Sequence, residues 1–123
     1  MTGELATTRR VPFNAYMEPR LKSHIRVGAH IRRAQAGGAF ATIARRGDED
    51  AGVVLVKIFQ TRDAARVLFE ARDEFGNHIW RDPFEGVTDE ASVDKFIEKE
   101  INLDPDVWVL ELEDRDGRSF LET

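Results

Sequence analysis

The sequence GAFATIARRGDEDAGVVLVKIFQ, residues 38–60, contains two apolar runs separated by an acidic segment. The second run, residues 53–60, is rich in β-branched and aromatic side chains, which is typical of a β-strand. Between the runs, residues 47–52 carry three carboxylates and begin and end with glycine, which is a turn composition. We expect Gly52 to adopt a positive φ there, because glycine reaches that conformation without a steric penalty. The stretch therefore predicts a central β-hairpin over residues 39–60.

The register of this hairpin has a consequence for the rest of the fold. If Arg46 lies opposite Val53, then Thr42 lies opposite Lys57. Side chains alternate between the two faces of a strand, so both faces of the hairpin are largely apolar in the middle. A ribbon that is apolar on both faces needs cover on both faces. We therefore expect the hairpin at the centre of a sheet, with helices or a second layer on each side.

The composition of the whole chain restricts its class. The chain has 123 residues, of which 41% are hydrophobic and 33% charged, which predicts one globular domain. Its net charge is −5, so there is no electrostatic reason to expect nucleic acid as a partner. The absence of cysteine excludes disulfides, thiolate metal ligands and cysteine nucleophiles. No apolar run approaches the roughly 20 residues of a membrane span, and the N-terminus does not resemble a signal peptide. We therefore expect a cytoplasmic protein without a membrane partner.

Upstream of the hairpin, the sequence predicts a tail and a helix. Residues 1–10 are polar, and residues 1–18 are interpreted as a flexible N-terminal tail, which leaves residues 19–123 as a single domain. Apolar and small residues recur at helical spacing over about residues 20–37, and glycine follows, as it commonly does at a helix end. A competing interpretation, in which this segment begins as a strand, stays open because apolar residues also alternate between residues 25 and 31.

Downstream of the hairpin, the pattern continues the sheet. Alternating apolar residues predict strands over residues 65–72 and 78–81, which would extend the hairpin into an antiparallel meander. A helical apolar stripe follows over about residues 89–101. Thr88 or Asp89 is the expected N-cap, because both side chains can accept a hydrogen bond from the first helical turn.

The last strand, residues 107–113, completes the predicted architecture. It alternates, with Trp108, Leu110 and Leu112 on one face. The predicted fold class is α+β: an antiparallel sheet of about five strands, made of the central hairpin, the meander to residue 81 and the last strand, with two main helices packed against it.

Two motifs of the chain resemble a small bacterial family. One is RRGDxDAG over residues 45–52, followed by VLVK over residues 54–57, and the other is DPDxWVxExED over residues 104–114. With Arg-Arg-Ala at residues 32–34, they are similar to the family called domain of unknown function fourteen ninety-one, over roughly residues 21–121. The resemblance implies no activity, because the family is one of unknown function.

Lys57 and two glutamates are the first candidates for chemistry. Lys57 lies within an apolar run, where a buried ammonium needs a carboxylate partner or loses its proton. Glu111 and Glu113 lie on the same face of the last strand and, with Glu70, are the expected partners. A desolvated lysine beside two carboxylates could act as a nucleophile with an acid/base pair. The alternative is a lysine whose stem is buried and whose ammonium only pairs with charges.

Asp48 and Asp50 of the acidic segment are candidates for binding. Carboxylates bind hard cations, but the calcium-loop pattern of alternating ligands is absent, so no metal site and no cofactor are predicted. The histidines form no ligand motif, since His24 and His30 lie about 240° apart around a helix. No phosphate-binding glycine loop and no nucleophile elbow occurs, so no catalytic residue is assigned.

A basic surface on the first helix is the remaining candidate. Arg32 and Arg33 lie on this helix, and Arg45 and Arg46 of the predicted hairpin could extend the surface. Such a surface could bind an acidic partner or a phosphate, and Trp108 is added to the candidate binding residues. The alternative is a solvated face whose charge balances the acidic second helix.

These patterns predict a binding module rather than an enzyme of any recognisable class. The leading hypothesis is a non-enzymatic protein that binds another protein or a small ligand through the arginine-rich first helix and the adjacent hairpin. A homodimer is one form that such a protein partner could take. The alternative is a small enzyme or metal-binding protein that uses Lys57, Glu111 and Glu113.

Overall fold

The computed structural model describes residues 21–121, so the tail predicted over residues 1–18 lies outside the described residues. Two helices and five strands form the described part, which is the predicted α+β class. Their bounds in chain order are α1 (Ser23–Ala36), β1 (Phe40–Arg45), β2 (Val54–Thr61), β3 (Ala64–Arg72), β4 (His78–Arg81), α2 (Glu90–Leu103) and β5 (Trp108–Glu113). Within residues 21–121, neither helix is long and apolar enough to cross a membrane.

The five strands form one sheet in the order β1-β5-β2-β3-β4. β2, β3 and β4 form the predicted antiparallel meander. The predicted hairpin over residues 39–60 is wrong, because β5 lies between β1 and β2, antiparallel to the first and parallel to the second. Thr42 and Lys57 are therefore not opposite each other; each lies opposite Glu111, from the two sides of β5. The prediction that β1 and β2 both lie at the centre of the sheet is also wrong, since β1 is an edge strand.

The connection between β1 and β2 shows why the hairpin does not form. Strands separated by one other strand are roughly 10 Å apart, a distance that the eight residues 46–53 span easily. This connection packs closely against the segment at the start of β5, because a Cβ added to Gly52 would lie 2.4 Å from the carbonyl oxygen of Asp106. Gly52 does not have a positive φ, so the expected reason for glycine is wrong. Close approach of two backbones is what requires glycine here.

Both faces of β2 are covered, as expected from its apolar sequence. Every residue from Val54 to Ile58 is buried, and α1 and α2 lie on opposite faces of the sheet. The α1 side of the core contains Val27, Ala34, Val54, Val56, Ile58, Trp108, Leu110 and Leu112. The α2 side contains Leu55, Val67, Val93, Ile97, Val107 and Val109. The sharing of one face by Trp108, Leu110 and Leu112 is thereby confirmed.

α1 is a helix from its first residue, so the interpretation of its start as a strand is wrong. Its first backbone N–H groups, those of Ser23 and His24, donate to the carbonyl oxygens of Asp50 (3.2 Å) and Glu49 (3.0 Å). The acidic connection therefore supplies both hydrogen-bond acceptors and negative charge at the positive end of the helix dipole. At the N-terminus of α2, the Asp89 carboxylate accepts from the N–H of Ser92 at 3.1 Å, which confirms one of the two predicted caps.

Candidate functional site

A cavity of about 370 Å³ lies between α1 and the part of the sheet formed by β2, β3 and β4. Its volume lies at the lower end of the range found for small-molecule sites. The apolar lining consists of Leu21, Val27, Ala29, Val54, Trp80 and Leu121. The polar lining consists of Arg26, His30, Arg33, Glu70 and His78. The arrangement is that of a ligand pocket, in which an apolar body meets a few convergent polar groups.

Glu70 of β3 is the most buried charged group of the cavity wall, at 6% exposure. Its carboxylate accepts hydrogen bonds from both Nη atoms of Arg26, one of them to Oε1 at 3.2 Å. The Nε2 of His78 lies 2.9 Å from Oε2, and the backbone N–H of Val54 donates to Oε1 at 2.9 Å. Strand alternation explains the placement, because Glu70 shares the α1 face with Leu68 two residues earlier. This carboxylate fixes α1, β2 and β4 around one wall of the cavity.

These contacts decide the protonation state of Glu70. Burial raises the pKa of the carboxyl, but the hydrogen bonds from His78 and Arg26, the charge of Arg26 and the N–H of Val54 outweigh burial and lower the pKa to about 2. The carboxylate is therefore ionised at neutral pH, with its charge compensated by Arg26. A carboxylate held this far below neutral pH is a poor general base, so the group orders the cavity wall rather than transferring protons.

β4 contributes the aromatic wall of the cavity. Trp80 lies directly opposite Glu70 in the β3–β4 ladder, and His78 lies on the same side of the sheet, two residues away. The His78 and Trp80 rings pack edge to face with centroids 5.8 Å apart. Trp80 is only partly buried, so its ring presents apolar surface to the cavity.

The segment after β5 closes the cavity from the other side. The Nε2 of His30 lies 2.8 Å from the carbonyl oxygen of Ser119, and the Nε of Arg33 donates to the carbonyl oxygen of Phe120 at 3.0 Å. Phe120 also packs against α1 where the helix ends, since a Cβ on Gly37 would lie 2.3 Å from its ring. These contacts hold Leu121 against the cavity.

Arg33 is the cation that this arrangement leaves available. Its Nε is used by Phe120, but within residues 21–121 its Nη1 and Nη2 make no hydrogen bond and no ion pair. Arg32, the next residue, does not line the cavity and is exposed. Of the two predicted binding residues of α1, only Arg33 therefore lines the cavity, although Arg32 is its neighbour in the sequence.

Lys57, Glu111 and Glu113 lie on the opposite, α2-facing side of the sheet. The Nζ of Lys57 lies 2.8 Å from Glu90, 2.7 Å from Asp94 and 3.9 Å from Glu111. Of the expected partners of Lys57, Glu111 is confirmed, whereas Glu70 is wrong because it lies on the other face. Glu113 is exposed, and the described residues provide no ion pair for it.

Two partners of Lys57, Glu90 and Asp94, are contributed by α2. Burial lowers the pKa of Lys57, but its hydrogen bonds to Asp94 and Glu90 and the charge of Glu111 outweigh burial and raise the pKa. The amine is therefore protonated at neutral pH and lacks the lone pair that a nucleophile needs.

Asp48 and Asp50 have local partners in the acidic connection. The Asp48 carboxylate accepts from the N–H groups of Asp50 and Ala51, and Asp50 lies 3.7 Å from the ammonium of Lys22. His24, Glu49 and Asp50 place three possible metal-ligand atoms within 4.8 Å of one another, and all three residues are exposed. Exposed groups of this kind are common at turns that bind no ion.

The other predicted binding residues lie at the start of β5, away from the cavity. Arg45 donates to the carbonyl oxygen of Pro105 at 2.8 Å, and the guanidinium of Arg46 lies 5.1 Å from the centroid of the Trp108 ring. Trp108 itself is 1% exposed, which places it in the core. Within residues 21–121, neither arginine forms an ion pair with Glu111 or Glu113, and the charge partner of Glu111 is Lys57.

Sequence reasoning assigns no site to Glu70, His78 and Trp80, which form the cavity wall. One signal points towards Glu70: it lies two residues after the buried Leu68, on the same face of β3. The pairing of this carboxylate with Arg26, 44 residues earlier, has no signature in local sequence.

The fold and the cavity define the protein as a small α+β domain in which two helices cover opposite faces of one mixed sheet and a pocket lies beneath the first helix. The chain belongs to the bacterial family described as protein of unknown function DUF1491, whose model matches residues 21–122. This confirms the family that its sequence motifs resemble.

Solved structures support the same family assignment. The chain is 48% identical to a DUF1491 family protein from Caulobacter crescentus CB15 whose crystal structure is known, with a TM-score of 0.76 and coverage of 83% of this chain and 95% of that chain. An NMR structure of a DUF1491 family protein from the same organism is 49% identical, with a TM-score of 0.75 and coverage of 82% and 92%. The solution structure of protein Atu0922 from A. tumefaciens is 27% identical, with a TM-score of 0.70 and coverage of 83% and 92%. No curated protein matches the chain.

Proposed function

We propose that this protein is a cytoplasmic, non-enzymatic binding module whose ligand is a small organic anion with an apolar body, held in the cavity beneath α1. The observation that carries the proposal is the Nη end of Arg33, which has no hydrogen-bond or ion-pair partner among residues 21–121 and lines a pocket with six apolar residues. The guanidinium presents two N–H groups in a plane, which matches a carboxylate in a bidentate hydrogen bond.

The charge balance of the cavity supports an anionic ligand. Arg26 and Glu70 neutralise each other within hydrogen-bond distance, which leaves Arg33 as a cation without a counter-ion among residues 21–121. Six apolar side chains partly shield the cavity from water, and a charge-assisted hydrogen bond to Arg33 is stronger there than in bulk water.

The apolar part of the lining supports a ligand with an apolar ring. Trp80 contributes an indole ring to the lining, and Val27, Val54 and Leu121 contribute aliphatic side chains. An aromatic ring packs favourably against such a ring in a stacked or edge-on arrangement. A monocarboxylate that carries one ring system therefore suits both the guanidinium of Arg33 and the apolar side chains of the lining.

The protonation states of the candidate catalytic groups favour binding over catalysis. Glu70 is ionised and hydrogen-bonded on both oxygens, and Lys57 is protonated among three carboxylates on the other face of the sheet. The alternative of an enzyme or metal-binding protein built on Lys57, Glu111 and Glu113 thus lacks a basic amine, and Glu113 contributes nothing to that cluster.

Indole-3-acetate is a suitable probe, because it combines a carboxylate with an indole ring. We expect it to shift the NMR signals of the Trp80 indole N–H and the Arg33 side chain in the full-length chain, whereas the uncharged indole-3-acetamide should have a much smaller effect. Arg33→Gln should weaken binding by about tenfold to a hundredfold, since hydrogen bonds to charged groups contribute about 1.5–3 kcal/mol.

Arg32→Gln is the matched control, because it removes the same charge from the neighbouring exposed residue and should leave the affinity nearly unchanged. Equal affinities of the two variants, or equal binding of the acid and the amide, would contradict an anion site at Arg33.

A further inference from the structure

β1 has one hydrogen-bonding edge that the rest of the described chain does not cover. Within residues 21–121, β1 pairs only with β5. The N–H of Trp108, the first residue of β5, donates to the carbonyl oxygen of Val53 at 2.8 Å. The N–H of Asp114, which directly follows β5, donates to the carbonyl oxygen of Phe59 at 3.1 Å. Even-numbered residues of β5 therefore point their backbone groups at β2, and odd-numbered residues point theirs at β1.

This alternation identifies the free groups of β1. Phe40 and Thr42 lie opposite two odd-numbered residues of β5, so their N–H and C=O groups are directed at β5. Ala41 lies between Phe40 and Thr42, and Ile43 follows Thr42. Both residues therefore direct their N–H and C=O groups away from the sheet. Four strong hydrogen-bonding groups thus form an open edge on one short segment.

The edge has a bulge near its end, between Ile43 and Arg45, but its central residues lack the other sequence features by which proteins usually prevent strand pairing. Natural edge strands are protected by lysine, proline or inward-pointing charges, and residues 39–44, AFATIA, contain none of these. Phe40 is 65% exposed and Ile43 is 38% exposed, so the segment also presents apolar side chains beside the open edge. An open edge with exposed apolar residues is the geometry that binds another strand.

We propose that the β1 edge pairs with the β1 edge of a second copy of this chain, antiparallel and centred on Thr42. About a two-fold axis at this residue, Ala41 of each copy lies opposite Ile43 of the other, so that all four free backbone groups of each copy are satisfied. Thr42 lies opposite Thr42, a favourable cross-strand pair, and the two sheets become one.

The side chains of β1 favour this occupant because the strand complements itself. Phe40 of one copy comes beside the small Ala44 of the other, and Ala41 comes beside the larger Ile43. A large residue therefore meets a small one at each of these positions, which places no two bulky side chains directly opposite each other.

The charges that flank the edge are also complementary. Arg45 lies opposite the buried Val109 and is therefore on the α2-facing side of the sheet, at one end of β1. Glu113 is on the same side at the other end, opposite Phe40, and is exposed. The two-fold arrangement brings the Arg45 end of each copy to the end of the other at which Glu113 lies on β5, one strand inside the edge, so opposite charges flank the junction.

The oligomeric state of the full-length chain tests the proposal. Analytical ultracentrifugation over about a hundredfold range of concentration should show a monomer–dimer equilibrium, because association follows mass action. Ile43→Pro removes an N–H that points away from β5, so it should shift the equilibrium to the monomer without a loss of intrachain pairing. Ile43→Val, which keeps this N–H, is the matched control and should dimerise as the parent does.

Amide hydrogen exchange provides a second readout that does not depend on a variant. At low concentration, the amides of Ala41 and Ile43 should exchange at least tenfold faster than those of Phe40 and Thr42, and at high concentration all four should be protected. A chain that stays monomeric at every concentration, a dimer that survives Ile43→Pro, or amides of Ala41 and Ile43 that remain unprotected in the dimer would each overturn the proposal.

Discussion

The indole N–H of Trp108 donates a 2.7 Å hydrogen bond to the backbone carbonyl oxygen of Asp48. Trp108 is the first residue of β5, and Asp48 lies in the acidic connection between β1 and β2. The bond therefore joins the inserted strand to the loop that passes around its end. It fixes the position of β5 between two strands whose sequences alone suggest a hairpin.

Truncation of Trp108 should destabilise the protein severely. Trp108→Ala removes a fully buried ring from the α1-facing core, and we expect it to lower the free energy of unfolding by about 3–5 kcal/mol. Trp108→Phe keeps most of the ring and loses mainly the hydrogen bond to Asp48, so it should cost about 1–2 kcal/mol. Urea denaturation followed by far-ultraviolet circular dichroism measures both values. A loss below 1 kcal/mol for the alanine variant would contradict the burial of this ring.

A methyl group at Gly52 should disturb the contact between the connection and the start of β5. A Cβ at this position would lie 2.4 Å from the Asp106 carbonyl oxygen and 2.9 Å from Cδ1 of Trp108, so the two segments must separate. We expect Gly52→Ala to cost about 1–3 kcal/mol.

Gly28→Ala serves as the comparison for this glycine. Its Cβ would meet Arg32 at an ordinary 3.6 Å, and alanine favours the helix, so this variant should be stabilised by about 0.5–1 kcal/mol. If chemical denaturation gave both alanine variants the same stability, the close approach at Gly52 would not be real.

Glu70 should make the stability depend on acid pH. Its pKa of about 2 in the folded protein lies below the value of roughly 4.3 expected for an unfolded chain. The ionised form is therefore preferred in the folded state, so its contribution is fully present above about pH 5 and is lost as the pH falls towards 2. We expect the free energy of unfolding to fall by about 2–3 kcal/mol over this interval through Glu70 alone.

Glu70→Gln isolates this contribution from that of the other carboxylates. The difference in stability between the parent and Glu70→Gln should be largest near pH 6 and should shrink steadily on acidification, as measured by urea denaturation at each pH. A difference that is constant from pH 6 to pH 2.5 would show that the carboxylate is not held by Arg26 and His78.

Removal of the Lys57 ammonium should leave Glu90, Asp94 and Glu111 without their common counter-ion. We expect Lys57→Met to lower stability at pH 7 by about 1–3 kcal/mol, less than for a fully buried pair because Asp94 is half exposed. Lys95→Met, on the exposed side of α2, should change stability by less than about 0.5 kcal/mol.

The effect of Lys57→Met should also depend on pH in a defined direction. The pKa of Lys57 is raised in the folded protein, so its contribution persists through neutral pH and is lost only at alkaline pH, as the amine is deprotonated. Thermal unfolding at neutral and at strongly alkaline pH measures this change, and an equal deficit of Lys57→Met at both pH values would speak against a charge cluster.

The sequence by itself determined the elements of this protein and the faces that they bury. Alternation along β2 and β3 and helical spacing along the two helices report local geometry, because a side chain at a given spacing points to a given side. The cap at Asp89, the burial of Trp108 and the shared face of Glu111 and Glu113 follow from the same local rules. The family follows from its motifs, since these are also sequence features.

Only the tertiary structure decided which strands are neighbours and which charges meet. Both β1 and β2 are apolar, and the eight-residue connection between them permits either direct pairing or the insertion of β5, so hydrophobic pattern cannot choose between the two. The insertion moves β1 to the edge and gives Lys57 its partners from α2. The pairing of Glu70 with Arg26 is also a tertiary contact. Contacts between distant segments depend on the packing of the whole chain, which local periodicity does not encode.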